Sequence, residues 1–273
     1  DSAVQVGTFS IILDQGFDIE STVAVGAQGL LNAAGGANPT MSAGAMADTS
    51  GGNFVAAQQL TLVGTGSKTV GIEKDATAKE IVSIVNAVSD TTGISATART
   101  TATLSNLSAD GVVAFDLNSV SISSNVLDGD LTALANAIND QAGKTGIVAK
   151  LDITDTEITL IDDTGKDIDI LNFNSSASTP TAATTFRVKG GDDSGFVTLS
   201  AGGPATAGTV LNADSTVIGG NVEFKSTSLS FSVSSNVANL DGGLFAGTAD
   251  QLFTSTLENV ASLDISSIEN SNR

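Results

Sequence analysis

The stretch Asp162-Asp163-Thr164-Gly165-Lys166-Asp167-Ile168-Asp169 sets four carboxylates within eight residues. Hard oxygen ligands at such spacing could hold Ca²⁺, and Asp167 and Asp169 would share one face of a strand. The order lacks the Asp-x-Asp-x-Asp-Gly run and distal Glu of an EF-hand, so a solvated hairpin explains it better than a metal loop. Gly190-Gly191-Asp192-Asp193-Ser194-Gly195 is glycine-rich like a phosphate loop, yet it carries two acids and no following helix or Lys-Ser/Thr pair. It reads as a turn. Ser and Thr are abundant, but the chain has no His and no Cys to complete a familiar nucleophilic triad. A Ser–Lys dyad cannot be placed by spacing. These observations predict no catalytic, cofactor-binding or metal-binding residue, and a protein that is not an enzyme.

Composition narrows the function further. Missing His and Cys remove the commonest general base, the thiol nucleophile, the usual zinc ligands and any disulfide framework. Eleven Lys and Arg against 30 Asp and Glu give a net charge of −19. That field repels phosphate backbones and anionic lipid, so neither nucleic acid nor membrane is an expected partner. No apolar run approaches the ~18–20 residues that span a bilayer. The opening Asp1-Ser2-Ala3-Val4 lacks the basic start and apolar stretch of a signal peptide. Small and β-branched residues, 29 Gly and three Pro point to many short strands joined by turns.

The elements follow from periodicity. Val4 to Leu13 nearly alternates, as a strand does, and residues 27–52 read as a loop. After the strand-like Leu60-Thr61-Leu62-Val63 and Lys68 to Ile72, Thr77-Ala78-Lys79-Glu80 forms a capping box. Ile81, Ile84, Val85 and Val88 then line one helical face, before Thr92-Gly93-Ile94 returns the chain to a strand. The unit recurs 50 residues on, with Leu131, Leu134, Ala135 and Ile138 as the apolar face and Asn136-Ala137 standing for Asn86-Ala87. Asp128 or Asp130 supplies its cap, and three extra residues precede Thr145-Gly146-Ile147. Alternation from Ala149 to Ile170 gives two strands joined by the turn Asp163-Thr164-Gly165-Lys166. Asn174 to Thr185 reads as a linker, and two hairpins follow, at 186–199 and 222–233. Leu257 to Asn272 has no sustained heptad.

The repeat resembles the insertion motif of bacterial flagellins and related hook-associated proteins. The residues that carry the likeness are Glu80-Ile81-Val82-Ser83-Ile84-Val85-Asn86-Ala87 with Thr92-Gly93-Ile94-Ser95-Ala96, then Leu131 to Ala137 with Thr145-Gly146-Ile147-Val148-Ala149. Val4-Gln5-Val6-Gly7 is similar to the segment where a flagellin leaves its first long helices, and Ala261-Ser262-Leu263-Asp264-Ile265-Ser266 to the point of return. Val222 to Ser232 is similar to the strand pair before that return. The heptad-patterned terminal helices of a whole flagellin have no counterpart here.

The resemblance implies a structural subunit of the flagellar filament whose outer, surface-exposed domains serve motility. It implies secretion without a cleaved signal to an extracellular filament. Partners would be other flagellin subunits through the terminal helices absent here, with an export chaperone possible and this fragment monomeric. It also implies O-glycosylation, for which Thr101, Thr103, Ser105, Ser121, Ser123 and Ser124 are candidate acceptors. A hook-associated or cap protein is the nearest alternative, and a secreted surface adhesin the next. The expected fold is α+β, mainly antiparallel strands with two short capped helices in a tandem repeat. The expected domains are a discontinuous base, 1–59 plus 174–273, and an inserted tandem-repeat domain, 60–173.

Overall fold

A computed structural model describes residues 52–53, 55–179, 182–191, 196–201, 214–226, 230–238, 243–245 and 248–256. The first elements are β1 (Gln58–Val63), β2 (Ser67–Ile72), α1 (Ala78–Asn86), α2 (Ser89–Thr92) and the long β3 (Ile94–Ser105). Next come β4 (Gly111–Leu117), β5 (Val120–Val126), α3 (Thr132–Asp140), α4 (Ala142–Thr145), β6 (Val148–Leu151), β7 (Glu157–Asp162) and β8 (Ile168–Ser175). The rest are β9 (Thr185–Gly190), β10 (Val197–Ser200), β11 (Thr216–Ile218), β12 (Asn221–Ser226), β13 (Ser230–Ser235) and β14 (Phe253–Thr256). The strand read at 4–13, most of the loop at 27–52, the segment 257–272 and both flagellin-like flanks lie outside the described residues.

The fold is mainly β, which corrects the α+β expectation: strands take 50% of the described residues and helix 15%, in three antiparallel sheets. The reason is local. Helical periodicity is confined to one nine-residue stretch in each copy of the repeat. Each helix packs onto strands of its own copy, α1 on β2, β3 and β12, and α3 on β5 and β6, and no separate helical layer forms.

The two copies correspond strand for strand, at a spacing of 53 residues from β1 to β3 (Asn86 to Asn139, Thr92 to Thr145), while β12 and β13 answer to β7 and β8, which precede them in the chain. In unit 1, β1 pairs with β2 and β13, while β3 pairs with β12. In unit 2, β4 pairs with β5 and β8, while β6 pairs with β7. Buried Leu60, Leu62, Ile81 and Val85 thus become Val113, Phe115, Leu134 and Ile138. The difference is in chain order. Unit 2 is continuous from β4 to β8. Unit 1 is interrupted between β3 and β12, and unit 2 sits in the interruption. At the matching place, unit 2 has only the short connection 152–156.

Strand β3 belongs to both units. Its residues 94–99 pair with β12, and 100–105 with β7. The hydrophobic side chains separate at the same point. One cluster draws on Val55 to Ala96 and Val222 to Phe245, the other on Ala102 to Ile218. The packing therefore divides within β3 and between β11 and β12, and Leu60 and Leu62 share a core with Val222, Phe224 and Val233.

Other sequence readings change in register. The 222–233 stretch is not a hairpin: β12 goes to β3, while β13 crosses to β1. The turn at 163–167 likewise carries the chain from one sheet (β7) to another (β8). The linker at 174–185 begins inside β8. The hairpin at 186–199 forms, as β9 against β10.

The copies end their helices identically. In unit 1, Asn86 Nδ2 donates to the Ala96 carbonyl at 3.0 Å and its Oδ1 accepts from the Ala96 amide at 2.7 Å. In unit 2, Asn139 clasps Ala149 in the same way, at 3.0 and 2.8 Å. The hydroxyls of Thr92 and Thr145 donate four residues back, to Val88 and Gln141, and accept from the amides of Ile94 and Ile147. The glycine between takes φ of 69° or 78°, a left-handed stop open to glycine at little cost. Asn139, not Asn136, is thus the counterpart of Asn86, and there are no three extra residues. Asn139→Ala should cost about 1–3 kcal/mol, read as a lower denaturation midpoint at unchanged slope. Asn136→Ala, on the exposed face, should change stability by less than about 0.5 kcal/mol. Equal losses would restore the 50-residue register.

Helix starts differ. Thr77 and Glu80 form the full capping box, with the Glu80 amide donating to Thr77 Oγ1 and the Thr77 amide to Glu80 Oε2. Helix α3 has Leu131 at the cap position, and Asp130, one residue earlier, accepts from the Thr132 amide at 2.7 Å. The Thr132 hydroxyl first, and its amide second, hold the Asp130 carboxyl below the ordinary carboxylate range. Asp128 instead adopts a left-handed φ of 56° in the preceding turn.

Candidate functional site

The acidic stretch 162–169 is split by its own turn. Asp162 points inward, 1% exposed, and its Oδ1 accepts from the Thr164 amide at 2.7 Å and the Thr164 hydroxyl at 2.6 Å. Asp163 points outward and pairs with Arg99 at 3.0 Å. Asp167 and Asp169 do share a face, as their spacing predicts, and both line a groove of about 820 Å³. The opposite wall is the start of α1, with Thr77, Lys79, Glu80 and Ser83, and Asn118 and Ser119 border it from the turn between β4 and β5.

The turn touches unit 1 through backbone. Gly165 accepts from the Lys79 amide at 2.8 Å, satisfying one of the helix's four unpaired first-turn donors. Gly165 has φ of 78°, and a Cβ there would lie 2.3 Å from Ala98 Cβ, so only glycine permits the approach. Beside it, Asn53 Nδ2 donates to both Asp167 oxygens, at 3.2 and 3.0 Å, and to the Ala76 carbonyl at 2.9 Å. Asn118 holds the other side, donating to the Asp167 carbonyl and accepting from the Asp169 amide.

Burial pushes the Asp167 carboxyl up to about 7, against the pull of the Asn53 hydrogen bond; Asp169, Glu80 and Asp75 add to the rise. Burial also raises Asp169. Elsewhere carboxyls move down. Asp116 is lowered by hydrogen bonds from Ser121 and Asn172, and Asp152 by one from Thr154. The groove can therefore hold a protonated carboxylic acid near neutrality. Among the described residues no three acids converge in a metal-binding arrangement.

Across β3 and β7, Thr100 and Asp162 face each other in register, and Thr100 Oγ1 and Asp162 Oδ2 have no hydrogen-bond partner. The candidate acceptors Thr101, Thr103 and Ser105 are half-buried on β3, and Ser121 and Ser123 are exposed on β5. The glycine-rich stretch at 190–195 is described only at its first two residues. Sequence reasoning missed Asn53 and Asn139. The first lies at the end of an apparent loop and gave no signal. The second was available, because Asn-x5-Thr-Gly-Ile occurs in both copies.

Among the described residues no helix is long and apolar enough to cross a membrane. Comparison with protein-family models and with curated proteins finds no match to this chain.

Proposed function

We propose that this chain forms the outer, solvent-facing domains of a bacterial flagellin, a structural subunit of the flagellar filament. The observation that carries the reading is the tandem repeat. On the residues that resemble the flagellin insertion motif, both copies form a helix clasped to the next strand by one asparagine and stopped at Thr-Gly-Ile. Unit 2 extends unit 1 from within, between β3 and β12. The net charge of −19 suits a surface that must stay soluble at high density. The role is mechanical and antigenic, with no chemistry performed.

The test is a graft. Residues 52–256 replace the outer domains of a motile flagellin, between that protein's own terminal helices. Export, filament assembly and swimming are expected, with new outer density by electron microscopy. A chimera that folds and is exported, yet never assembles, would overturn the reading and favour a cap-like protein.

A further inference from the structure

We propose that the end of unit 2 farthest from unit 1 is a docking surface for a basic, amphipathic polypeptide, with Ile153 and Leu127 as its apolar anchors. Strand β3 starts in unit 1 and ends at Ser105, which pairs with Glu157, so the 152–156 turn lies at that far end. Ile153 in this turn is 101% exposed, and Leu127, between β5 and α3, is 61% exposed. The Leu131 amide joins the two turns by donating to the Asp155 carbonyl at 2.8 Å.

The fold has no need of either side chain. Ile153, fully exposed, packs on nothing. Asp128 and Asp75 hold the same left-handed φ, 56° and 57°, in matching turns of the two units. The residue before Asp75 is Lys74, also exposed, so unit 1 builds this turn with a charge where unit 2 carries Leu127. Nor are the anchors loose. Asp110 accepts from the amides of Asp128 and Gly129 at 2.8 and 3.1 Å, and Asp152 from those of Thr154, Thr156 and Glu157. Apolar side chains held out on hydrogen-bonded turns lose little freedom on binding.

The setting selects the partner. Asp110, Asp128, Asp130, Asp155 and Glu157 are exposed in or against the two turns, and among the described residues no ion pair engages them. Lys150, two residues before the 152–156 turn, is the cation nearest to it in sequence. An apolar centre with an acidic rim fits a partner of opposite charge that brings apolar side chains of its own. The net charge of −19 draws such a partner in, and it repels a second copy of the chain or an anionic lipid surface. Docking of this kind goes beyond a role in the filament and does not depend on it.

The test titrates the intact, isotope-labelled chain with a short amphipathic peptide of lysine and leucine, and with a lysine and serine peptide of equal charge. The leucine peptide should shift amides at 127–131 and 152–157 alone, with affinity falling as salt rises. The serine peptide, which brings charge only, should bind at least about tenfold more weakly. Leu127→Ser with Ile153→Ser should cost the leucine peptide about tenfold and leave the serine peptide unchanged. Phe196→Ser, which removes an exposed ring beside β10, should alter neither. Shifts spread over the whole acidic surface, equal affinity of the two peptides, or full affinity in the double variant would each overturn the assignment. So would calcium that shifts the same amides and blocks the peptide, which would make the carboxylates a cation site. A dimer in sedimentation that Ile153→Ser abolishes would overturn it too, by making the occupant a second copy.

Discussion

Replacing residues 99–220 with a five-residue turn will leave a folded unit 1, whereas deleting 60–173 will unfold it. The first cut follows the packing. Arg99 and Asn221 are paired across β3 and β12, so their ends already lie at hairpin distance. Unit 2 closes the same hairpin with residues 152–156, where Asp152 accepts from the amides of Thr154, Thr156 and Glu157. Copying Asp152 to Thr156 into unit 1, with Asp152 in the place of its counterpart Arg99, supplies a turn of known geometry, and closing a short loop costs little entropy. Every buried residue of the unit 1 cluster is retained. The second cut removes Leu60, Leu62, Ile72, Ile81, Val85 and Ile94 from that cluster. Its loss exceeds the total stability of an ordinary domain, of order 5–15 kcal/mol. Dispersed amide resonances and one cooperative melt are expected for the first variant, and neither for the second. An unfolded first variant would mean that unit 1 depends on unit 2.

Val85→Asp will melt unit 1 and spare unit 2. Val85 is fully buried on α1 and Ile138 is its counterpart on α3. An unpaired carboxylate at either place should cost about 3–5 kcal/mol. Ser83→Asp, on the exposed face of α1, should cost about 0.5 kcal/mol or less. Ile84, read from the helical stripe as a core position, is only partly buried, so Ile84→Asp should fall between the two. Exchange measured by segment separates the units. Val85→Asp should accelerate β1, β2, β12 and β13, and Ile138→Asp should accelerate β4 to β8. Equal acceleration of all these strands in both variants would show one cooperative body.

The elements of the repeat were legible because each carries a local signal: the Thr77–Glu80 box, the apolar stripe, the Thr-Gly-Ile stop. Their partners were not. Nothing local tells β12 to pair with β3 and β13 with β1, since both are alternating stretches only three residues apart in sequence, as the strands of hairpins are. The register slipped to 50 because Asn-Ala occurs at 86–87 and again at 136–137. An asparagine that binds backbone ten residues ahead has no helical periodicity to mark it. The α+β reading overweighted two clear helices against strands whose Ser- and Thr-rich faces gave weaker alternation. The acidic stretch was rightly placed on a turn. Its real neighbours, Glu80 and Asn53, lie far away in sequence and meet it only through the fold.

Interrupting one unit with another also fixes an order of events in time. Strand β1 appears first during synthesis, but its outer partner β13 is the last of the pair's elements to be made. Before then β8, the equivalent strand of unit 2, has already emerged and offers β1 a plausible wrong match. Non-local pairings form slowly and expose such edges while they wait. The strand ends alone do not tell the two apart. Ser175 stands where Ser235 does, and Ser176 brackets Val112 as Asn236 brackets Gln59. What only the correct match brings is the chain beyond it: the Leu244 amide donates to Gln58 Oε1 at 3.1 Å, and Leu244 and Phe245 enter the unit 1 core. The contacts that distinguish right from wrong are therefore made after both candidate strands.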